Sequence, residues 1–63
     1  MSYAEAIKAL RKKMILTQTE LASLLEVSFG TVNRWESGKY NPTTKAKRKL
    51  APFFQKYSIL VEE

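Results

Sequence analysis

An all-α fold, a compact bundle of four or five short helices, is what the sequence predicts. Three observations carry that expectation. Apolar residues recur at helical spacing along nearly the whole chain, helix-start signals separate those stretches, and no strand-like alternation occurs.

Tyr3, Ile7, Leu10 and Met14 fall on one helical stripe, with Ser2 as the amino-terminal cap. Lys8, Arg11, Lys12 and Lys13 gather toward the end of this helix, where positive charge complements the dipole. Ile15, Leu16 and Thr17 then break the rhythm. Thr17 and Glu20 have the T-x-x-E spacing of a capping box, which starts a second helix near Gln18. That helix offers Leu21, Ala22 and Leu25 to a core, Ala22 being small where two backbones cross closely.

Leu25, Glu26 and Val27 form a turn, and Ser28 caps the next helix. Val27, Val32 and Trp35 are its expected buried stripe. Gly38, suited to a left-handed stop, ends it, and Tyr40-Asn41-Pro42 is a loop because the residue before proline avoids helical geometry. From Thr43 to Tyr57 the helical spacing returns with Ala46, Leu50, Phe53 or Phe54, and Tyr57. Pro52 interrupts this stretch, at a cost of about 3 kcal/mol inside a helix. Either one helix ends near Leu50 and another begins near Pro52, or a single helix kinks. Ile59, Leu60 and Val61 are expected to fold back against the core or run along it, and Glu62-Glu63 to fray.

Composition bounds the function. Sixty-three residues make one small domain, residues 1–63, burying roughly 60% of its unfolded surface and sparing no cavity for a sizeable substrate. Without cysteine or histidine, disulfides and the usual nucleophile–base pairs are excluded, and the six scattered carboxylates form no catalytic pair. No enzyme activity, cofactor or metal is expected. Eleven Lys and Arg against six Asp and Glu give +5, which favours a polyanionic partner. No apolar run approaches the ~20 residues of a membrane span, and no secretory signal opens the chain, so a cytoplasmic location is expected. An initial Met on so compact a chain suits a standalone protein or an amino-terminal domain.

With its apolar stripe turned inward, the third helix leaves Ser28, Phe29, Gly30, Asn33, Arg34 and Ser37 outward. A helix of this kind can lie in a DNA major groove.

Thr17-Gln18-Thr19-Glu20-Leu21-Ala22, followed by Val27-Ser28-Phe29-Gly30-Thr31-Val32-Asn33-Arg34-Trp35-Glu36-Ser37-Gly38-Lys39, resembles the Cro/phage-repressor type of helix-turn-helix domain, the XRE family. The resemblance runs from about residue 4 to 57, with the helix-turn-helix unit near 18–37. One departure is Glu26, at a turn position usually held by glycine, where a left-handed backbone costs ~1 kcal/mol. The resemblance implies sequence-specific binding of double-stranded DNA through the recognition helix, usually in a transcriptional regulator of repressor type. A protein-interaction module, or the DNA-targeting domain of a larger protein, is the alternative.

Site residues follow from the same resemblance. Gln18 would contact the DNA backbone or support a base reader, against the plainer reading of an exposed helix-start residue. Phe29, Gly30 and Thr31 would face bases. Phe29 is either a thymine-methyl contact or a core aromatic, Gly30 permits close approach to the groove floor, and Thr31 either bonds DNA or caps locally. Arg34 is the expected guanine reader, with Asn33 beside it, the alternative being a phosphate contact or a solvated arginine. Lys39 and Tyr40, with Asn41, would hold the sugar-phosphate backbone. Lys45, Lys47, Arg48 and Lys49 form either a solvated face or a flank of the phosphate contact. Arg11 and Glu36 occupy the places of a structural ion pair. Reading two half-sites requires a homodimer. Phe54, Ile59, Leu60 and Val61 are the expected dimer surface, or else they complete the monomer core.

Overall fold

The computed structural model describes residues 1–62 and contains four helices, with no strand among the described residues. They are α1 (Tyr3–Met14), α2 (Gln18–Leu25), α3 (Phe29–Ser37) and α4 (Thr44–Lys56). Every helix opens on a hydroxyl cap. Ser2, Thr17, Ser28 and Thr43 accept the backbone N–H of Glu5, Glu20, Thr31 and Ala46 respectively. Thr17–Glu20 is the capping box expected, and Ser2–Glu5 is a second one. Hydrogen bonds from the backbone N–H of Ser2 and of Thr17 hold the Glu5 and Glu20 carboxyls below the ordinary glutamate range.

The first three helices end in left-handed backbone. Ile15, Glu26 and Gly38 have φ of 57°, 59° and 81°. Glu26 therefore adopts the left-handed turn that the resemblance placed there. Ile15 does so unannounced, since a β-branched residue is disfavoured in that region by roughly 1–2 kcal/mol. What offsets it is the pairing that the turn permits. Leu16 N–H reaches the Arg11 carbonyl at 3.0 Å, and Leu16 itself packs on the core. The same device closes α2, where Val27 N–H meets the Ala22 carbonyl at 2.9 Å. Val27 thus seals the end of α2 as a half-buried residue ahead of α3, rather than belonging to the stripe of α3.

Ala6, Ile7 and Leu10 of α1, Leu21, Ala22 and Leu25 of α2, Val32 and Trp35 of α3, and Ala46, Leu50 and Phe54 of α4 make the core. α3 packs against α1 and α2, and α4 closes over α1 and α2. Pro52 lies inside the continuous α4, so the second helix considered for this stretch does not exist. Pro52 and Arg48, the residue whose carbonyl loses its donor, are both exposed, and solvent can satisfy the freed carbonyl.

Beyond α4, Ser58 turns the chain with φ 55° and Ile59 joins the core, with Val61 packed against it. Leu60 departs from expectation, pointing away from the protein at 84% exposure. Glu62 is tied rather than frayed. Its N–H donates to the Met1 carbonyl at 2.7 Å, and its carboxylate accepts from the Met1 ammonium at 3.3 Å. Glu63 lies outside the described residues. Because Phe54 and Ile59 are core residues, they are not a dimer surface; they complete the monomer.

Among the described residues, one carboxylate is buried. Glu36 of α3, 5% exposed, receives Arg11 Nε at 2.8 Å and Nη2 at 3.0 Å, while Arg11 Nη1 donates to the Leu16 carbonyl. Burial pushes the Glu36 carboxyl up, but hydrogen bonds from Arg11 and Gln18 outweigh it and leave the group below its ordinary 4.5. The pair fixes how α3 is rotated on α1.

Two outcomes are expected. Trp35→Ala should lower unfolding stability by about 3–5 kcal/mol in a denaturant titration, through the cavity it leaves. An unchanged midpoint would place Trp35 outside the core. Because the unfolded chain protonates Glu36 first, its contribution is present at neutral pH and fades as pH falls below 4.5 toward the lower folded value. Stability measured from pH 7 to 3 should fall more steeply in the natural chain than in Glu36→Gln, which keeps only the acid sensitivity of Glu5, Glu20 and the remaining carboxylates.

Candidate nucleic-acid interface

At about 100° per residue, Gly30, Asn33, Arg34 and Ser37 share the side of α3 opposite Val32 and Trp35. Phe29 and Thr31 stand on its two shoulders. Phe29 is 52% exposed, so the core-aromatic reading of this residue does not hold. Thr31 is half-buried and its hydroxyl pairs with that of Ser28 at 2.8 Å, while Ser28 Oγ also accepts the Thr31 N–H at 3.2 Å. Of the roles weighed for Thr31, the local cap is the one the structure contains.

Gly30 has no internal reason to be glycine. Its φ is ordinary, and a methyl group there would meet only Ser28 Oγ, at 3.9 Å. Glycine weakens a helix by about 1 kcal/mol relative to alanine, and here the protein's own packing does not demand it.

Gln18, the first residue of α2, is half-buried and bonded at both ends of its amide. Its Nε2 donates to Glu36 Oε1 at 3.2 Å, and its Oε1 accepts from Asn33 Nδ2 at 3.3 Å. The solvated helix-start reading of Gln18 is therefore overturned. Arg11, Glu36, Gln18 and Asn33 form one chain of hydrogen bonds from α1 to the outer face of α3.

Arg34 is exposed, and its guanidinium lies 5.9 Å from the centre of the Tyr40 ring. Lys39, Tyr40 and Asn41 are exposed on the loop that follows α3, and a shallow groove between that loop and the helix is lined by Arg34, Tyr40, Asn41 and Thr43. Pro42, which marked this loop in the sequence, is also buried and anchors it. Its φ-locked ring leaves Lys39 and Tyr40 on the near side of a fixed point.

The basic run of α4 divides. Lys49 Nζ donates to the Leu25 carbonyl at 3.0 Å, capping α2, and Lys47 lies 5.0 Å from the Tyr3 ring centre. Lys45 and Arg48 are exposed. A signal for Lys49 existed in the sequence: α2 has no basic residue in its last turn, so its terminal carbonyls needed a donor from elsewhere. Elsewhere, Lys13 donates to the Tyr57 carbonyl at 3.1 Å. Among the described residues, no helix is long and apolar enough to cross a membrane.

With this geometry in view, comparison with known proteins is specific. The chain matches the Helix-turn-helix family over residues 7–59. It is 35% identical over 63 residues to the HTH-type transcriptional activator BcrR of Enterococcus faecalis, covering 100% of this chain and 29% of that protein. It is 34% identical over 58 residues to Repressor protein C of Escherichia phage P2, covering 89% of this chain and 59% of the phage protein. An uncharacterized HTH-type transcriptional regulator of Archaeoglobus fulgidus is 44% identical over 48 residues, 76% of this chain and 68% of its own length. The chain therefore spans less than two thirds of the activator and of the phage repressor. No solved structure matches it. The hydroxyl-capped α2 and α3, the left-handed turn between them and the matched sequences agree: the chain belongs to the helix-turn-helix family of the XRE, Cro/C1 type, a family of DNA-binding transcription regulators.

Proposed function

We propose that this chain binds double-stranded DNA sequence-specifically, with α3 in the major groove, and serves a transcriptional regulator of repressor type. The observation that carries the reading is the outer face of α3. Gly30 offers open backbone, Asn33 and Arg34 offer hydrogen-bonding groups, and Phe29 offers an apolar surface that the fold does not use.

In this reading Gly30 lets the helix approach the groove floor, and Arg34 places its fork on the two acceptors of guanine. The Tyr40 ring lies beside the guanidinium in a cation–π contact. Phe29 meets a thymine methyl at the shoulder of the helix, where Ser28 and Thr31 keep the first turn closed and the one hydroxyl proton that their mutual bond leaves free donates to a phosphate oxygen. Lys39 and Tyr40 hold the sugar-phosphate backbone and set register without carrying sequence information. Gln18 acts through the residues it bonds. Residues 1–63 act as one DNA-binding module in the cell's DNA-containing compartment.

Two half-sites one helical turn apart call for a homodimer. With Phe54 and Ile59 inside the core, the exposed Leu60 and neighbouring Met1 are what such a contact would use. A second reading, that the chain is the DNA-targeting part of a longer protein, is favoured by the 29% share of BcrR that it covers.

Selection from random duplex DNA, followed by gel shift over a series of salt concentrations, tests the proposal. A motif should emerge, and affinity should fall steeply with salt as counterion release is suppressed. Binding that ignores salt would point to a protein partner instead. Within that assay, Arg34→Ala should weaken binding by about 1–3 kcal/mol and relax one base pair, whereas Lys39→Ala should weaken all sequences alike and flatten the salt slope. Unaltered affinity and motif in Arg34→Ala would remove it as a reader. Gly30→Ala should raise the unfolding stability by up to about 1 kcal/mol yet reduce DNA affinity. Gains in stability with undiminished affinity would mean that close approach at Gly30 is not used.

A further inference from the structure

The hydrogen bonds that begin at Arg11 have a direction, and the direction reaches the surface. Glu36, ionised and held by two Arg11 nitrogens, can only accept. The Gln18 amide must therefore turn its Nε2 toward Glu36, as it does at 3.2 Å. That leaves Gln18 Oε1, an acceptor, facing α3. Asn33 must answer with a donor, and its Nδ2 does so at 3.3 Å. Neither amide can flip without placing two acceptors or two donors against each other. A buried charge pair thus sets the polarity of an exposed side chain two residues further along the chain of bonds.

Asn33 is then left with a defined pattern. One N–H of Nδ2 is engaged by Gln18; the second N–H and Oδ1 are available on the exposed side of α3. One donor beside one acceptor complements adenine, which shows the N7 acceptor and the N6 donor in the major groove. Guanine shows two acceptors there, so Asn33 could satisfy only one of them. Cytosine offers a donor alone, and thymine an acceptor beside a methyl group. From these contacts we infer that Asn33 is a second base-reading residue, selective for adenine, and that Gln18 is its positioning residue, oriented in turn by Glu36 and Arg11. The inference rests on the proposed DNA binding and adds to it a particular base and the residue that fixes the reader. Gln18 accordingly governs sequence preference, not a phosphate contact.

The test compares the natural chain with Asn33→Ala, Gln18→Ala and the doubly substituted chain, by random-duplex selection and by competition between duplexes that differ at single base pairs. Thermal unfolding and binding to a non-specific duplex are measured alongside. The natural motif should contain an adenine that Asn33→Ala loses, with the preference for it falling about tenfold while the other positions stay. Gln18→Ala should lose the same adenine and no other, and the double variant should be no worse at that base pair than either single one. Gln18→Met, which keeps the side-chain bulk without the acceptor, serves if Gln18→Ala does not fold, and should lose the same adenine. An Asn33→Ala motif identical to the natural one would overturn the assignment of the reader. Independent, additive losses at different base pairs, or a uniform loss in the Gln18 variants, would overturn the positioning role. A natural chain that selects no motif would overturn the DNA reading itself, and this inference with it.

Discussion

Everything on the outer face of α3 depends on one carboxylate that points the other way. Glu36 sits at the bottom of the helix, enclosed by α1 and α2, and would be intolerable there unpaired. Arg11 meets it with two nitrogens, Gln18 with a third, and no buried side-chain nitrogen or oxygen among the described residues lacks a partner. A buried ion pair of this kind contributes little net stability compared with a well-packed apolar pair. Its value is in geometry. Val32 and Trp35 would accept small rotations of α3 against an apolar core, whereas a bidentate contact with fixed distances accepts one. With α3 set about its axis, Gly30, Asn33 and Arg34 come to share one exposed surface.

The +5 charge is less available than the sequence implies. Arg11 is bound to Glu36, Lys13 to the Tyr57 carbonyl and Lys49 to the Leu25 carbonyl, so three of the eleven cations serve the fold directly. Lys47 and Lys56 lie over the Tyr3 and Tyr57 rings. A long amphipathic side chain can serve packing and carry charge together, because its methylenes lie along apolar surface while its head stays wet. Arg34, Lys39 and the loop up to Pro42 are thereby the concentrated cationic feature of the α3 side. The loop keeps its place because Pro42 is buried, which is an apolar contact supporting an electrostatic surface.

Three non-glycine residues, Ile15, Glu26 and Ser58, hold left-handed backbone at the ends of helices or just beyond. Each allows the next residue, Leu16, Val27 or Ile59, to turn back and pack on the core while its N–H closes onto the preceding helix. Local backbone strain and long-range packing are exchanged at these corners. A chain of 63 residues has few apolar residues to use, and the corners recruit three more of them.

Helix starts were legible along the chain because capping is a matter of neighbours: a hydroxyl reaches the N–H three residues away wherever the rest of the protein lies. The left-handed stop at Gly38, the inward stripe of Val32 and Trp35 and the exposure of Arg34 were legible for the same reason, since spacing along one helix decides them. The Arg11–Glu36 pair and the candidate DNA-facing residues needed the family resemblance, which supplied tertiary information that no local pattern contains. Tertiary contacts alone decided the rest. Whether α4 runs through Pro52 depends on which side of the helix the proline falls, and whether Leu60 or Ile59 enters the core depends on a turn at Ser58 that no spacing announces. Lys49 reaches across to α2, and Gln18 is committed between Glu36 and Asn33, through atoms brought together only when three helices meet. Sequence order dictates what each residue can donate, accept or bury; the packed fold chooses the partner, because that choice is made by distance in space.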